Sequence, residues 1–242
     1  MGQQAAWGID DLRAEVRAGR LRGAALRARI KGLPPTERDP FVDALLALPE
    51  LPEDQPGLPP GTVPYLPCAV DTILQVVQEA PVAASDGFVD LGAGLGRVAL
   101  LVHLLCGAPA VGVELQPHLV QIAVQAAAGL QLPAVDFRCA DAARPPLPDG
   151  TVYFIYASFG RSALAQVLAQ LKAQAQRQEQ LRAPLQAQRQ AGADRREGLG
   201  PRRITLCAVD FEIPQADYPW LRPRPSQRPE LVFYDACLSP AI

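Results

Sequence analysis

The stretch "FVDLGAGLGRVALL", Phe88 to Leu101, decides how this chain is read. An apolar run ends in an acid, three glycines alternate with other residues, and a second apolar run follows at helical spacing. A strand that feeds a helix through so tight a turn leaves unpaired N–H groups at the helix start and lets a ligand come close to the backbone. Dinucleotide-binding folds write such a turn G-x-G-x-x-G. Here the glycines are Gly92, Gly94 and Gly96, and the next position is Arg97. The register of a dinucleotide turn fails, which disfavours a nicotinamide-dependent oxidoreductase.

Outward from this turn the chain alternates. "CAVDTILQVVQEA" upstream reads as a helix. Downstream come "GRVALLVHLLCG" as helix, "AVGVELQ" as strand, "PHLVQIAVQAAAGL" as helix, and "AVDFRCAD" and "TVYFIYASF" as strands. "RITLCAVDF" and "ELVFYDACL" supply further strands near the C-terminus. The strands are mostly continuous apolar runs, as expected where helices cover both faces of a parallel sheet. The pattern predicts an α/β fold, a doubly wound seven-stranded, mostly parallel sheet.

Two segments lie outside the alternation. Residues 9–32 carry apolar residues at helical spacing, acids early and arginines late, the order that suits a helix dipole. "DPFVDALLAL" repeats the helical pattern, and "PELPEDQPGLPPGTVPYLP" reads as a proline-dense connector. Residues 1–60 are thus expected to form a helical N-terminal extension on a domain spanning 61–242. After Phe159 a strongly helix-forming Ala/Gln/Leu/Arg run begins near Ser162, and Pro184 is expected to kink or end it. The excursion at about 162–200 reads as a solvated helix with a loose connector, or as a lid.

Composition narrows the classes further. The 242 residues are 49% apolar and 20% charged with a net charge of −2, ordinary for a globular protein. A protein that binds nucleic acid mainly by neutralising phosphates is usually basic, so no nucleic-acid partner is expected. The cysteines Cys68, Cys106, Cys139, Cys207 and Cys237 are scattered without a CxxC pair, and the histidines are two. That pattern predicts no metal site and a reducing compartment. "MGQQAAWGIDDLRAEV" has neither the basic start nor the apolar core of a signal peptide, and Ala6 stands where a myristoylation signal needs Ser or Thr. A cytoplasmic protein without a membrane partner is expected, and oligomeric state stays open. His103 reads as a core residue and His118 as a surface residue near a helix start.

Asp90-Leu91-Gly92-Ala93-Gly94-Leu95-Gly96 resembles motif I of the class I S-adenosylmethionine (SAM) methyltransferases. Glu114 closes the next strand and Asp141 the one after, and "PLPDGTVYFIY" resembles the run into motif IV of that family. The resemblance covers roughly residues 62–160. It implies SAM as cofactor, with Asp90, Gly92, Ala93, Gly94 and Gly96 facing its methionine part. It also implies Glu114 on the ribose, and Asp141 with the backbone of Ala142 beside the adenine. Upstream, "VPYLPCAVDTIL" resembles the Tyr-x-Pro-(Thr) segment of lysine methyltransferases with this fold, with Cys68 where Thr is usual.

The same resemblance sets Tyr156, Ser158 and Phe159, at the end of "YFIYASFG", beside the transferred methyl group. Many amine methyltransferases carry N/D-P-P-Y/F here. The missing amide counts against adenine N6 and glutamine as acceptors. Phe159 can offer a ring face to a cation, Ser158 a hydrogen bond, and Tyr65 can reach the methionine end or the acceptor. For Tyr65 and Tyr156 a rim role with a satisfied hydroxyl is an equal reading. The implied activity is methyl transfer to a protein side chain, lysine favoured, or to a small molecule. The alternative is a catalytically silent binding or scaffold protein on the same fold.

Overall fold

Burial on both sides makes the apolar runs around the glycine turn into central strands. In the computed structural model, which describes residues 8–58, 62–80, 82–156, 159–190 and 203–238 (only the backbone for 182–190), all four residues of β1 (Phe88–Leu91) are buried. β2 (Ala110–Glu114), β3 (Val135–Cys139), β4 (Val152–Tyr156) and β5 (Thr205–Val209) join it in parallel. β7 (Leu231–Ala236) runs antiparallel to β5, and β6 (Leu221–Pro225) antiparallel to β7. The resulting order is β3-β2-β1-β4-β5-β7-β6. The seventh strand, β6, was hidden in the sequence by Pro223 and Pro225, which cannot donate to a ladder. Its place at the sheet edge is where such residues are tolerated.

The helices are α1 (Ile9–Arg17), α2 (Gly23–Lys31), α3 (Pro35–Leu46), α4 (Val70–Glu79), α5 (Arg97–Cys106), α6 (Pro117–Gly129) and α7 (Arg161–Gln190). The pattern read over 9–32 is two helices, not one, because the chain turns at Gly19 with φ 76°. Pro184 does not end α7, which runs on to Gln190. A proline removes one N–H and crowds the carbonyl four residues back, and the strong helix formers around it outweigh that loss. The rest of the expected excursion, 191–200, lies in residues outside those described.

Alternating residues of β1 and β4 feed two cores. On one face Phe88, Val152 and Phe154 pack with α4, α5 and α6 and with Leu26, Ile30, Leu45 and Leu46 of α2 and α3. On the other, Val89, Leu91, Tyr153 and Ile155 meet Val167, Leu168 and Leu171 of α7, while Ile213 and Trp220 from the β5–β6 loop complete the layer. No helix links β3 to β4; residues 140–151 cross from the sheet edge to its centre as a loop.

Glutamines of α7 hold that loop. Gln170 accepts from the Leu147 N–H (3.1 Å) and donates to the Ala142 carbonyl (3.0 Å). Gln174, 3% exposed, donates to the carbonyls of Leu147 and Pro148, both at 3.1 Å, and accepts from the Tyr153 hydroxyl. The helix read from its composition as solvated is therefore, over this stretch, a clamp on the crossing.

Candidate active site

The carboxyl ends of β1 to β4 open into a cleft of about 590 Å³, where ligands bind in open α/β sheets. Its walls come from residues 62–66, 113–116, 140–144 and 159–163, with Gly92, Tyr156, Gln166 and Asp210.

The turn between β1 and α5 is built as its glycines require. Gly92, Gly94 and Gly96 have φ of 86°, 52° and 80°, left-handed values that side chains disfavour. Gly92 and Ala93 both donate to the Val113 carbonyl, at 2.8 and 3.0 Å. A Cβ on Gly94 would collide with the Tyr65 ring, and one on Gly96 with the Phe137 ring. What passes close to this backbone is thus the chain's own aromatic rings. Of the turn, Gly92 opens onto the cleft; Ala93, Gly94 and Gly96 lie behind its lining.

Glu114 ties turn and second strand together. It is 8% exposed, accepts from Gly94 N–H at 2.9 Å with one oxygen and from Gln116 N–H at 2.8 Å with the other, and borders the cleft. A carboxylate offers about four lone-pair sites, so it retains acceptors for a ligand. Asp141, also on the lining, accepts from Ala143 N–H at 2.9 Å and faces Arg144 Nε at 3.4 Å. Ala142 adjoins it on the wall.

Asp90 lies deeper, 2% exposed. Burial pushes its carboxyl up to about 7; the Ala99 backbone N–H opposes that rise and the Glu114 charge adds to it. Its Oδ2 is buried without a hydrogen-bond partner among the described residues. Such an orphan acceptor in a native fold calls for a donor.

A segment from outside the sheet roofs the cleft. Asp54 accepts from the Tyr65 N–H (3.2 Å) and from Gln116 Nε2 (2.7 Å), and Gln116 Oε1 accepts from Gln55 N–H (2.7 Å). His118 Nε2 lies 3.2 Å from the Glu53 carbonyl, so it serves this clip as well as the start of α6. Tyr65 is pushed up to about 12, mostly by burial. Burial likewise raises the Cys68 thiol, with the Asp90 charge adding to it. His103 is a core residue, 7% exposed, with Nδ1 2.8 Å from the Ala108 carbonyl.

At the far end Tyr156 and Phe159 line the cleft, both half-buried. The Tyr156 phenol is raised by burial first and then by the charge of Asp210, to which it hydrogen-bonds. Ser158 lies outside the described residues. The structure thus gathers Tyr65, Gly92, Glu114, Asp141, Ala142, Tyr156 and Phe159 on one wall system, with Asp90 beneath it.

Sequence reasoning missed Asp54, Gln116 and Asp210. Asp210 had a signal: like Asp90, it ends an apolar strand run. Asp54 and Gln116 had none, since their pairing spans 62 residues.

A ligand with an amino-acid end and an adenosine end needs acceptors for an ammonium, for paired ribose hydroxyls and for an adenine amine. Asp90 with its orphan oxygen, Glu114 and Asp141 are such acceptors in that order along the strand ends. The cleft volume falls within the range of about 300–1,000 Å³ usual for small-molecule sites. The residues present fit SAM.

Residues 88–178 match a family described as a methyltransferase domain. The chain is similar in structure to an RNA methyltransferase from Salinibacter ruber in complex with S-adenosyl-L-homocysteine (TM-score 0.52, 21% identity, covering 73% of this chain and 96% of that one). It is also similar to a precorrin-6y C5,15-methyltransferase from Geobacter metallireducens GS-15 (TM-score 0.46, 14% identity, 74% and 93% covered). A third is a geranyl diphosphate C-methyltransferase from Streptomyces coelicolor A3(2) (TM-score 0.42, 16% identity, 59% and 45% covered). No curated protein matched. The first of these likenesses establishes the fold.

Proposed function

We propose that this chain, a SAM-dependent methyltransferase, methylates an amine, with a protein lysine side chain favoured over a small molecule. The observation that carries the reading is the continuity of the cleft. One space is bordered by Glu114 and Asp141 at one end and by Tyr156 and Phe159 at the other.

SAM, when bound, supplies a methyl group already activated by its sulfonium. The chain's own residues have then to bind, orient and exclude water, and orientation alone can account for much of the acceleration. Glu114 and Asp141, with the backbone of Ala142, hold the nucleoside; Asp90 and Gly92 hold the amino-acid end. The Tyr65 ring, seated on Gly94, closes the cleft on the side of the connector. Phe159 and Tyr156 present ring faces to an approaching cation. The sequence after Tyr156, Ala157-Ser158-Phe159, carries neither an amide nor an acid, which sets it apart from enzymes that grip adenine N6 or glutamine there.

Calorimetric titration with S-adenosylhomocysteine and, separately, NAD tests the cofactor. The former should bind, the latter should not, and Glu114→Ala should weaken binding by about 1–3 kcal/mol, the scale of a hydrogen bond to a charged group. Binding of NAD, or an unchanged affinity in the variant, would refute the assignment.

A further inference from the structure

The acceptor end of the cleft holds a carboxylate that the reading above leaves unused. Asp210 follows the last residue of β5, and Tyr156 pairs with Val209 in the parallel register, so Asp210 and Tyr156 emerge side by side. The Asp210 backbone is left-handed, with φ 62°. Its N–H donates to the Glu230 carbonyl at 2.8 Å, which fixes that turn. Asp and Asn tolerate this conformation better than other residues that bear side chains. Non-glycine residues held there cluster at functional sites.

The turn brings Asp210 onto the cleft wall with Tyr156 and Phe159, exposed to the solvent that fills the cleft. The Tyr156 hydroxyl donates to its carboxylate. That bond takes one of about four acceptor sites and leaves the charge in place. Arg144, also on the lining, is paired with Asp141. Arg161, the first residue of α7, also reaches the lining, and among the described residues no ion pair joins it to Asp210. A carboxylate that shares a cleft wall with two aromatic rings, one of them hydrogen-bonded to it, offers an ammonium group both a counter-charge and ring faces.

We propose that Asp210 selects the methyl acceptor, anchoring the cationic nitrogen of a primary amine between the rings of Tyr156 and Phe159. This deepens the function proposed above and rests on it. The anchored ammonium loses a proton to solvent at the exposed rim, and its lone pair then forms the N–C bond. The S–CH₃ bond breaks as that bond forms, and its electron pair stays on sulfur. Asp210 touches the acceptor, and its charge sets which acceptor enters.

Asp210→Asn isolates that charge, because Asn has the same shape, tolerates the left-handed backbone and still accepts the Tyr156 hydrogen bond. Transfer of labelled methyl from SAM is measured against the concentration of poly-L-lysine, with bulk transfer RNA as a second acceptor. Binding of S-adenosylhomocysteine is titrated in parallel. In the variant KM for poly-L-lysine should rise about 10- to 100-fold, the scale of one charge-assisted hydrogen bond, with homocysteine-nucleoside affinity unchanged. Asp210→Glu, which restores the charge one methylene further out, should recover part of the loss.

An unchanged KM in Asp210→Asn overturns the proposal. So does a wild type that binds S-adenosylhomocysteine yet methylates only RNA, or leaves poly-L-lysine unmodified. Failure of the wild type to bind S-adenosylhomocysteine would instead bring down the methyltransferase reading beneath it.

Discussion

An aspartate in an unfolded chain titrates near 3.9, whereas burial, with the Glu114 charge adding to it, pushes Asp90 up to about 7 in the fold. Between those values the folded protein holds a proton that the unfolded chain has lost. The stabilising contribution is fully present below about pH 4 and is lost as pH rises through about 7. The melting temperature of protein free of S-adenosylhomocysteine should therefore fall from pH 5 to pH 8, by up to a few kcal/mol in stability at about 1.4 kcal/mol per unit of displacement. Asp90→Asn should flatten that slope in a thermal melt; an unaltered slope would assign the titration to another group. At this scale the sequence was legible where chemistry is local. Asp90 and Glu114 lie at the ends of apolar runs, Asp141 follows the next strand, and a glycine run betrays a crowded turn. The rings that crowd it, Tyr65 and Phe137, arrive from distant elements, and no spacing within the turn could name them.

Among elements, α7 shows how composition misleads. Gln, Ala and Arg suggest a solvated surface, yet Gln174 is buried and bonded to two loop carbonyls and a tyrosine hydroxyl. Gln174→Ala leaves those groups short of partners and should destabilise the fold by about 1–3 kcal/mol in urea denaturation. A change within a few tenths would mean that water replaces the amide. The parallel strands were legible because burial on both faces leaves uninterrupted apolar runs. β6 was not, since Pro223 and Pro225 are tolerated there only through an edge position that tertiary structure decides.

Across the whole molecule the two faces of the sheet are covered unequally. One carries α1 to α6 in a single core, the other α7 and the β5–β6 loop. Val16, Leu26, Ile30, Val42, Leu45 and Leu46 are fully buried in the first. Deleting residues 1–48 would open that core, and the shortened chain should bind a hydrophobic dye and precipitate at concentrations the full chain withstands. A soluble truncation with an intact thermal transition would show that these helices are dispensable.

Arg97 adds a consequence in time. It begins α5, where a cation opposes the helix dipole, and it is 6% exposed. Its guanidinium bonds to Asp43 on α3 and to the Cys68 carbonyl, and lies 3.8 Å from Asp39. Every one of those partners precedes it in the chain. During synthesis on the ribosome they leave the exit tunnel before Arg97 does, so the charge never has to wait for its counter-ions. A circular permutant that moved residues 1–48 behind Ile242 would bring Asp39 and Asp43 out after Arg97 and lose that head start.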